Sequence, residues 1–503
     1  MDARDQPDAH ARGRATKALI GRRVLGYLAQ PPRMLEVVLW ALVVGAVIGV
    51  RLYLLSLLPT YLWSGDTASY ANPAFGWLDT GEMVFDSRRG PVYSLVIAAV
   101  ARVTSTLTGV VWAQHALGAV GILATLVAGR AYWGRSAAIP LAAFGFGYAL
   151  YGMPIHLEHL LRNETLLFAF SSLAIASWLV ALKNGSAWFL FLAALCAGLL
   201  SLTKNVFLPF PLAMAAGALA VDPTVWRTRA FRLALIAAGF LLPSLLYTVH
   251  RATAANVEPA RPQVGLLLFG RTAQWTVLDG GIEPEAKAVI RADIEDYRRL
   301  PKLDNNLVLK RTAVPHLSAF LSAEGKTPSD LERLCRRLAF EAIRAHPEAF
   351  ARQVLGDVHS IHFKAGVENS APHRDDLRLA IEDMGELDTS HRVMDRDATI
   401  ATLDRISEGR RTFYALHRLE RLAWPFQLYP PLLTTLALVL LVGLTRGTTR
   451  LFFAGIAAVW FFNVVLLSTV GRPLERYLMP VVPAMFWAQA GAVVLAWKHV
   501  VRR

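Results

Sequence analysis

Apolar stretches long enough to form membrane-crossing helices recur along the chain, separated by short polar turns. The runs fall near Leu35–Leu58, Val110–Ala128, Ala137–Tyr151, Thr165–Leu182, Ala187–Leu202, Phe207–Val221 and Leu233–Thr248, then near Trp424–Leu444, Leu451–Val470 and Leu478–Trp497. This pattern predicts an all-α multi-span membrane protein with about ten transmembrane helices. No sequence repeat and no low-complexity segment interrupts it.

Charge in the turns sets the expected orientation. Met1 to Arg33 carries Arg4, Arg12, Arg14, Lys17, Arg22, Arg23 and Arg33, a cationic lead that places residues 1–34 in the cytoplasm. It is too long and polar for an ordinary cleaved signal, so the first span is expected to stay as an anchor. Arg51 interrupts that span near its outer end, where its side chain is expected to snorkel to the interface. Pro91 to Val103 is apolar but short; were it to cross, Arg130 and Arg135 would fall outside, against the positive-inside tendency. It is therefore expected to lie in the outer interface. Residues 35–249 then form about seven spans with a first outer loop at 59–109, residues 424–503 form the last three, and both termini are cytoplasmic.

Between these blocks the composition changes. Residues 250–423 mix charges and prolines and contain no run long enough to cross; at about 170 residues the segment is domain-sized. Helical patterns over Pro284–Arg299 and Pro328–His362, the latter capped at Ser329 or Asp330 and broken at His346-Pro347, predict a mostly helical extracytoplasmic domain.

Composition supports the membrane reading. The chain is 54% hydrophobic and 18% charged, with a mean hydropathy of +0.38, outside the usual range of a soluble domain. A net charge of +14 raises nucleic acid as a partner, but the basic residues are dispersed over short loops and termini, so none is expected. The two cysteines, Cys196 and Cys335, have neither disulfide nor zinc spacing.

Three polar clusters fall on the outer face in this topology. The first lies in Pro59 to Tyr93, which carries Asp66, Asp79, Glu82, Asp86, Arg88 and Arg89 among aromatics that include Tyr70 and Tyr93, a mixture suited to a membrane–water boundary. The second holds His156, Glu158, His159, Arg162 and Glu164, and the third Arg472, Glu475 and Arg476 beside Tyr477. Asp66 reads as a site carboxylate or as a cap of the helix that follows, and Glu164 as a site acid or as a complement to a helix dipole. Arg472 and Arg476 run against the charge bias of an outer turn, which a lipid phosphate or an ion pair with Glu475 would explain. Lys204, between two spans, reads as an anchor or a further phosphate partner, and Arg88 and Arg89 are equally open. Tyr93 and Tyr477 suit an aromatic belt or a substrate contact. His156 and His159 lack a third ligand at metal spacing.

The order of these pieces resembles the GT-C class of membrane glycosyltransferases, in particular bacterial relatives of protein O-mannosyltransferases and of the lipid A aminoarabinose transferase. The resemblance rests on GDTASYANPA and RRGPVYSLV in the first outer loop, LLRNETLL, LLSLTKNVFLPFP, AFEAIRAHPEAF and ERYLMPVVP, which follow one another in the family's order. The family's module of seven spans before a large outer domain matches the count above. The chain departs from its relatives at Asp66-Thr67, where two adjacent acids are common, and at Gly90, which replaces a proline.

The resemblance implies a transferase moving a sugar from a polyprenyl-phosphate donor to an acceptor hydroxyl on a glycan, lipid or protein. Asp66 would be the catalytic carboxylate, Glu164 a second site acid, and Arg476 with Tyr477 part of the lipid-phosphate site, joined by Arg472 and Lys204. Tyr70, Arg88, Arg89, Tyr93 and His159 are further substrate-side candidates. No cofactor is called for, and a divalent metal stays open. Alanine and arginine richness suits a GC-rich bacterial genome, hence the cytoplasmic membrane with the site facing the periplasm or exterior. The rival class is a transporter or flippase, which predicts polar residues in mid-membrane on several spans and internal repeats. A non-catalytic scaffold gives no reason for charges on three outer turns.

Overall fold

The computed structural model describes residues 31–64, 66–81, 89–150, 152–204, 209–221, 226–253, 264–300, 308, 311–363, 396–408, 430–469 and 480–502. Helices dominate: among the described residues the only β-type pairing is an isolated bridge between Leu62 and Leu160. The chain is an all-α multi-span membrane protein, and each of the ten apolar runs falls on a helix. Five of these helices are long and apolar enough to cross a bilayer: Arg33–Leu57 (α1), Thr108–Trp133 (α4), Glu164–Asn184 (α7), Trp226–Thr253 (α10) and Gly447–Thr469 (α18). The others are Ala138–Ala149 (α5), Ala187–Thr203 (α8), Pro209–Val221 (α9), Pro430–Leu444 (α17) and Val482–Arg502 (α19).

Burial separates lipid-facing from central helices. Helix α1 buries Val43, Val47, Arg51 and Leu55, a four-residue spacing that makes one stripe, and leaves Leu42, Ile48 and Leu52 exposed on its other face. One stripe suffices because lipid tails solvate the rest as well as leucine would. Helix α7 is buried nearly all round, and its Trp178 packs against Phe210 of α9 and Phe452 of α18. It is the axis of the bundle.

Arg51 does not snorkel. It is 3% exposed and turns inward, its guanidinium bonding Val47 O at 3.1 Å and Glu158 Oε1 at 2.6 Å. A counter-charge 107 residues away overrides the pull of the interface.

Helices Ala68–Thr80 (α2) and Pro91–Thr104 (α3) follow α1. Helix α3 has 14 residues, about 21 Å at 1.5 Å per residue, short of a hydrocarbon core of about 30 Å. A short helix, Gly152–Leu157 (α6), leads into the turn before α7.

Within the 250–423 segment the described helices are Val264–Thr272 (α11), Pro284–Arg298 (α12), Ala313–Ala323 (α13), Pro328–Ala345 (α14), Pro347–Phe363 (α15) and Arg396–Glu408 (α16). Phe269, Ile290, Ile294, Leu317, Leu334 and Leu338 give α11 to α14 a core of their own. The cap of α14 is Thr327, not Ser329 or Asp330: Asp330 reaches back and accepts bonds from Thr327 N at 2.8 Å and Thr327 Oγ1 at 2.7 Å. Those two bonds, with Arg333 adjacent, pull its carboxyl down to about 2. Helix α15 enters the membrane bundle, where His362 Nδ1 lies 2.7 Å from Val358 O and its Nε2 lies 2.9 Å from Thr435 Oγ1. Leu403 and Ile406 of helix α16 belong to the same buried cluster as Tyr61 and Trp63 of the loop after α1, and the Thr399 and Thr60 hydroxyls are 2.9 Å apart. The segment is thereby fixed beside that loop.

Candidate active site

The chain leaves α1 at Leu58 and reverses into α2 through a hydroxyl-lined turn. Thr67 is the residue before the helix; its Oγ1 accepts from Ser64 N at 3.0 Å and lies 3.0 Å from Ser64 Oγ. This closes the turn locally, as Ser and Thr do at helix starts. Asp66 points across to the residues just before α3, where its Oδ1 accepts from Arg89 Nη2 at 2.7 Å. Both side chains are about one-third exposed, so the pair meets solvent on one side.

Arg89 is held at three points. Besides Asp66 it donates from Nε to Ser69 Oγ at 3.1 Å, Ser69 in turn donating to Asp66 O at 2.6 Å, and its guanidinium lies 5.1 Å from the centre of the Tyr70 ring. Tyr70 meets Tyr93 edge to face at 5.2 Å, and Tyr93 donates its hydroxyl proton to Gln114 Oε1. Burial holds the Tyr70 hydroxyl well above its ordinary range, helped by the carboxylates of Glu164 and Asp66 and opposed by Arg89 and Arg162. Tyr70 is therefore a neutral donor, and these four charged groups surround it.

Gly90 makes the approach of this loop possible. A Cβ built there would stand 1.6 Å from Leu202 O, 2.7 Å from Leu202 C and 3.2 Å from Thr203 Cα, all backbone atoms at the end of α8. No rotamer relieves that contact, and a proline, which has a Cβ, meets the same wall. Gly90→Ala is expected to push Arg89 off Asp66 and to lower turnover about a hundredfold, the cost of misplacing a site group by about 1 Å. Turnover within about threefold of wild type would show that the loop relaxes without moving Arg89. Lys204 directly follows α8, its backbone N bonding Leu200 O at 2.7 Å, so the same contact places it near the Arg89 loop.

The turn over residues 158–164 docks on the turn over residues 58–67. Leu62 N donates to His159 O at 2.9 Å and Leu161 N to Leu62 O at 3.2 Å, while Arg162 Nε donates to Ser64 Oγ at 2.6 Å. Glu164 opens α7, where an acid suits the helix dipole, yet it is only 5% exposed and its Oε2 has no hydrogen-bond partner among the described residues. Such a group costs stability unless it serves a ligand or a reaction.

Tyr93 and His159 are 0% and 3% exposed. Tyr70 is equally buried at 3%, so of these residues only Asp66 and Arg89 present part-exposed side chains. Burial, with His115 next to it, holds His159 well below the usual imidazole value, so it is neutral. Arg88, Arg472, Arg476 and Tyr477 lie outside the described residues. Among the described residues no group of three His, Cys, Asp or Glu side chains is arranged to hold a metal ion. Ser64, Ser69, Gln114 and His115 were not singled out by the sequence reading. For the last two the signal was there, since adjacent polar residues within an apolar run ask for a partner.

No protein-family model matches the chain, and no curated protein does. Among solved structures it is similar to the crystal structure of ArnT from Cupriavidus metallidurans bound to undecaprenyl phosphate, at 17% identity over 85% of this chain and 77% of that one, with a TM-score of 0.34.

Proposed function

We propose that the protein is a membrane glycosyltransferase that moves a sugar from a polyprenyl-phosphate donor to an acceptor hydroxyl, with Asp66 as general base and inversion at the anomeric carbon. The observation that carries this reading is a part-exposed Asp66–Arg89 pair, set beside a buried Glu164 whose Oε2 has no hydrogen-bond partner among the described residues. The order of sequence motifs supports it. A polyprenyl phosphate is its own leaving group, so the chemistry asks for a carboxylate to take the acceptor proton and cations to meet the charge on the departing phosphate. Asp66 faces the first task. Arg89, already ordered against Tyr70, meets the second, with Arg162 and Lys204 nearby and Arg472, Arg476 and Tyr477 as further phosphate contacts. The site would face the exterior side of the bacterial cytoplasmic membrane. Acceptor choice would belong to residues 250–423.

The test is release of polyprenyl phosphate from labelled polyprenyl-phosphate sugars by detergent-purified protein, with cell-envelope extract as acceptor and with and without EDTA. Turnover is expected, and EDTA sensitivity would add a divalent metal. No turnover with any donor, once extract from a competent cell has supplied every acceptor, would overturn the reading in favour of a transporter of lipid-linked substrates.

A further inference from the structure

Beneath the candidate site, four buried side chains that the proposed chemistry does not use form one connected chain. Arg51 from α1 bonds Glu158 Oε1 at 2.6 Å, and Glu158 Oε2 lies 2.6 Å from Nδ1 of His115 on α4. His115 Nε2 lies 3.1 Å from His159 Nδ1, and His159 Nε2 lies 3.1 Å from Leu58 O. All four residues are at most 3% exposed.

The pattern fixes the tautomer of His159. A carbonyl only accepts, so His159 carries its proton on Nε2 and its Nδ1 accepts from His115 Nε2. His115 Nδ1 then approaches the Glu158 carboxylate off the hydrogen-bond axis. The Glu158 carboxyl group thus lies between the Arg51 guanidinium and the His115 ring, and its position is set from both sides.

The chain is connected to the site through the backbone of the second outer segment. Gln114, next to His115, donates from Nε2 to Glu158 O at 2.7 Å and Leu160 O at 2.9 Å, while its Oε1 receives Tyr93. From Leu160 the segment runs to Arg162 and Glu164. Gly118, one turn beyond Gln114, provides the space: a Cβ there would fall 1.9 Å from Glu158 Oε1 and 3.1 Å from Arg51 Nη2.

We propose that Arg51, His115, Glu158 and His159 are positioning residues, a buried ionic clamp that holds the 158–164 segment so that Arg162 and Glu164 stand at the site beside Asp66 and Arg89. Their effect on turnover rests on the glycosyltransferase reading. The clamp itself does not.

Gly118→Ala tests the clamp without removing a charged group, and alanine is the better helix former, so the protein is expected to fold. The added methyl displaces the Glu158 carboxylate. In the turnover assay kcat is expected to fall about tenfold to a hundredfold with donor KM and the thermal midpoint little changed. Adding Glu158→Asp, which retracts the carboxylate by one methylene, is expected to restore kcat at least in part. A second arm needs no turnover: in Ser64→Cys/Arg162→Cys protein, cross-linking by a short bifunctional thiol reagent is expected to slow about tenfold with Gly118→Ala and to recover with Glu158→Asp. The native cysteines, Cys196 and Cys335, are buried. Unchanged cross-linking overturns the clamp, as does a kcat loss that follows the thermal midpoint and that Glu158→Asp does not rescue. Cross-linking that responds as expected in a protein inactive with every donor upholds the clamp and removes the transferase reading.

Discussion

Asp66→Asn is expected to abolish most release of polyprenyl phosphate, by about a hundredfold or more, as loss of a general base does. Asparagine keeps the shape of the side chain and a carbonyl oxygen that still accepts from Arg89 Nη2, so the turn and α2 should survive. Because the Asp66–Arg89 pair is partly exposed, its loss as an ion pair should cost no more than about 1 kcal/mol of stability. The measurement is therefore turnover on protein whose unfolding midpoint matches wild type. Donor KM should change little, since Arg89 stays in place. A variant as active as wild type would make Asp66 an anchor for Arg89 and pass the role of base to Glu164.

The helices were legible because bilayer thickness imposes a length that apolar runs either meet or miss. Trp424–Leu444 and Pro430–Leu444 differ only at one end, and α3 is as short as Pro91 to Val103 suggests. Pairings across long sequence distance were not legible. Arg51 reads as a residue seeking water until Glu158, 107 residues later, supplies its charge. Asp66 reads as a site carboxylate or a helix cap, and only the fold shows Arg89, just before the next helix, paired with it. Local rules price a polar residue against lipid and water, whereas the fold offers it a third environment.

The same logic explains the glycines. Gly90 looks like a departure from a proline pattern in one dimension. In three dimensions it marks a place where the loop backbone touches the end of α8. Gly118 looks like a weak spot in an apolar helix, yet it leaves room for a carboxylate from another segment. In both cases the sequence carries the signal as an absent side chain, and only the neighbour reveals what the absence is for.

Glu164→Gln separates function from stability at the second acid. A buried carboxylate oxygen with no hydrogen-bond partner among the described residues is a standing cost, on the order of 1–3 kcal/mol for an unsatisfied buried group. Glutamine has nearly the same volume and carries no charge, so the variant is expected to unfold at a higher temperature than wild type. Turnover is expected to fall about a hundredfold, because the group that tolerates this cost is the one that helps accept or steer the acceptor proton. Opposite signs in the two readouts are what a functional acid at this position predicts. If Glu164 serves α7 only by complementing its helix dipole, the signs reverse: losing the charge costs a few tenths to about 1 kcal/mol of stability and so lowers the midpoint, and turnover on the folded fraction stays near wild type.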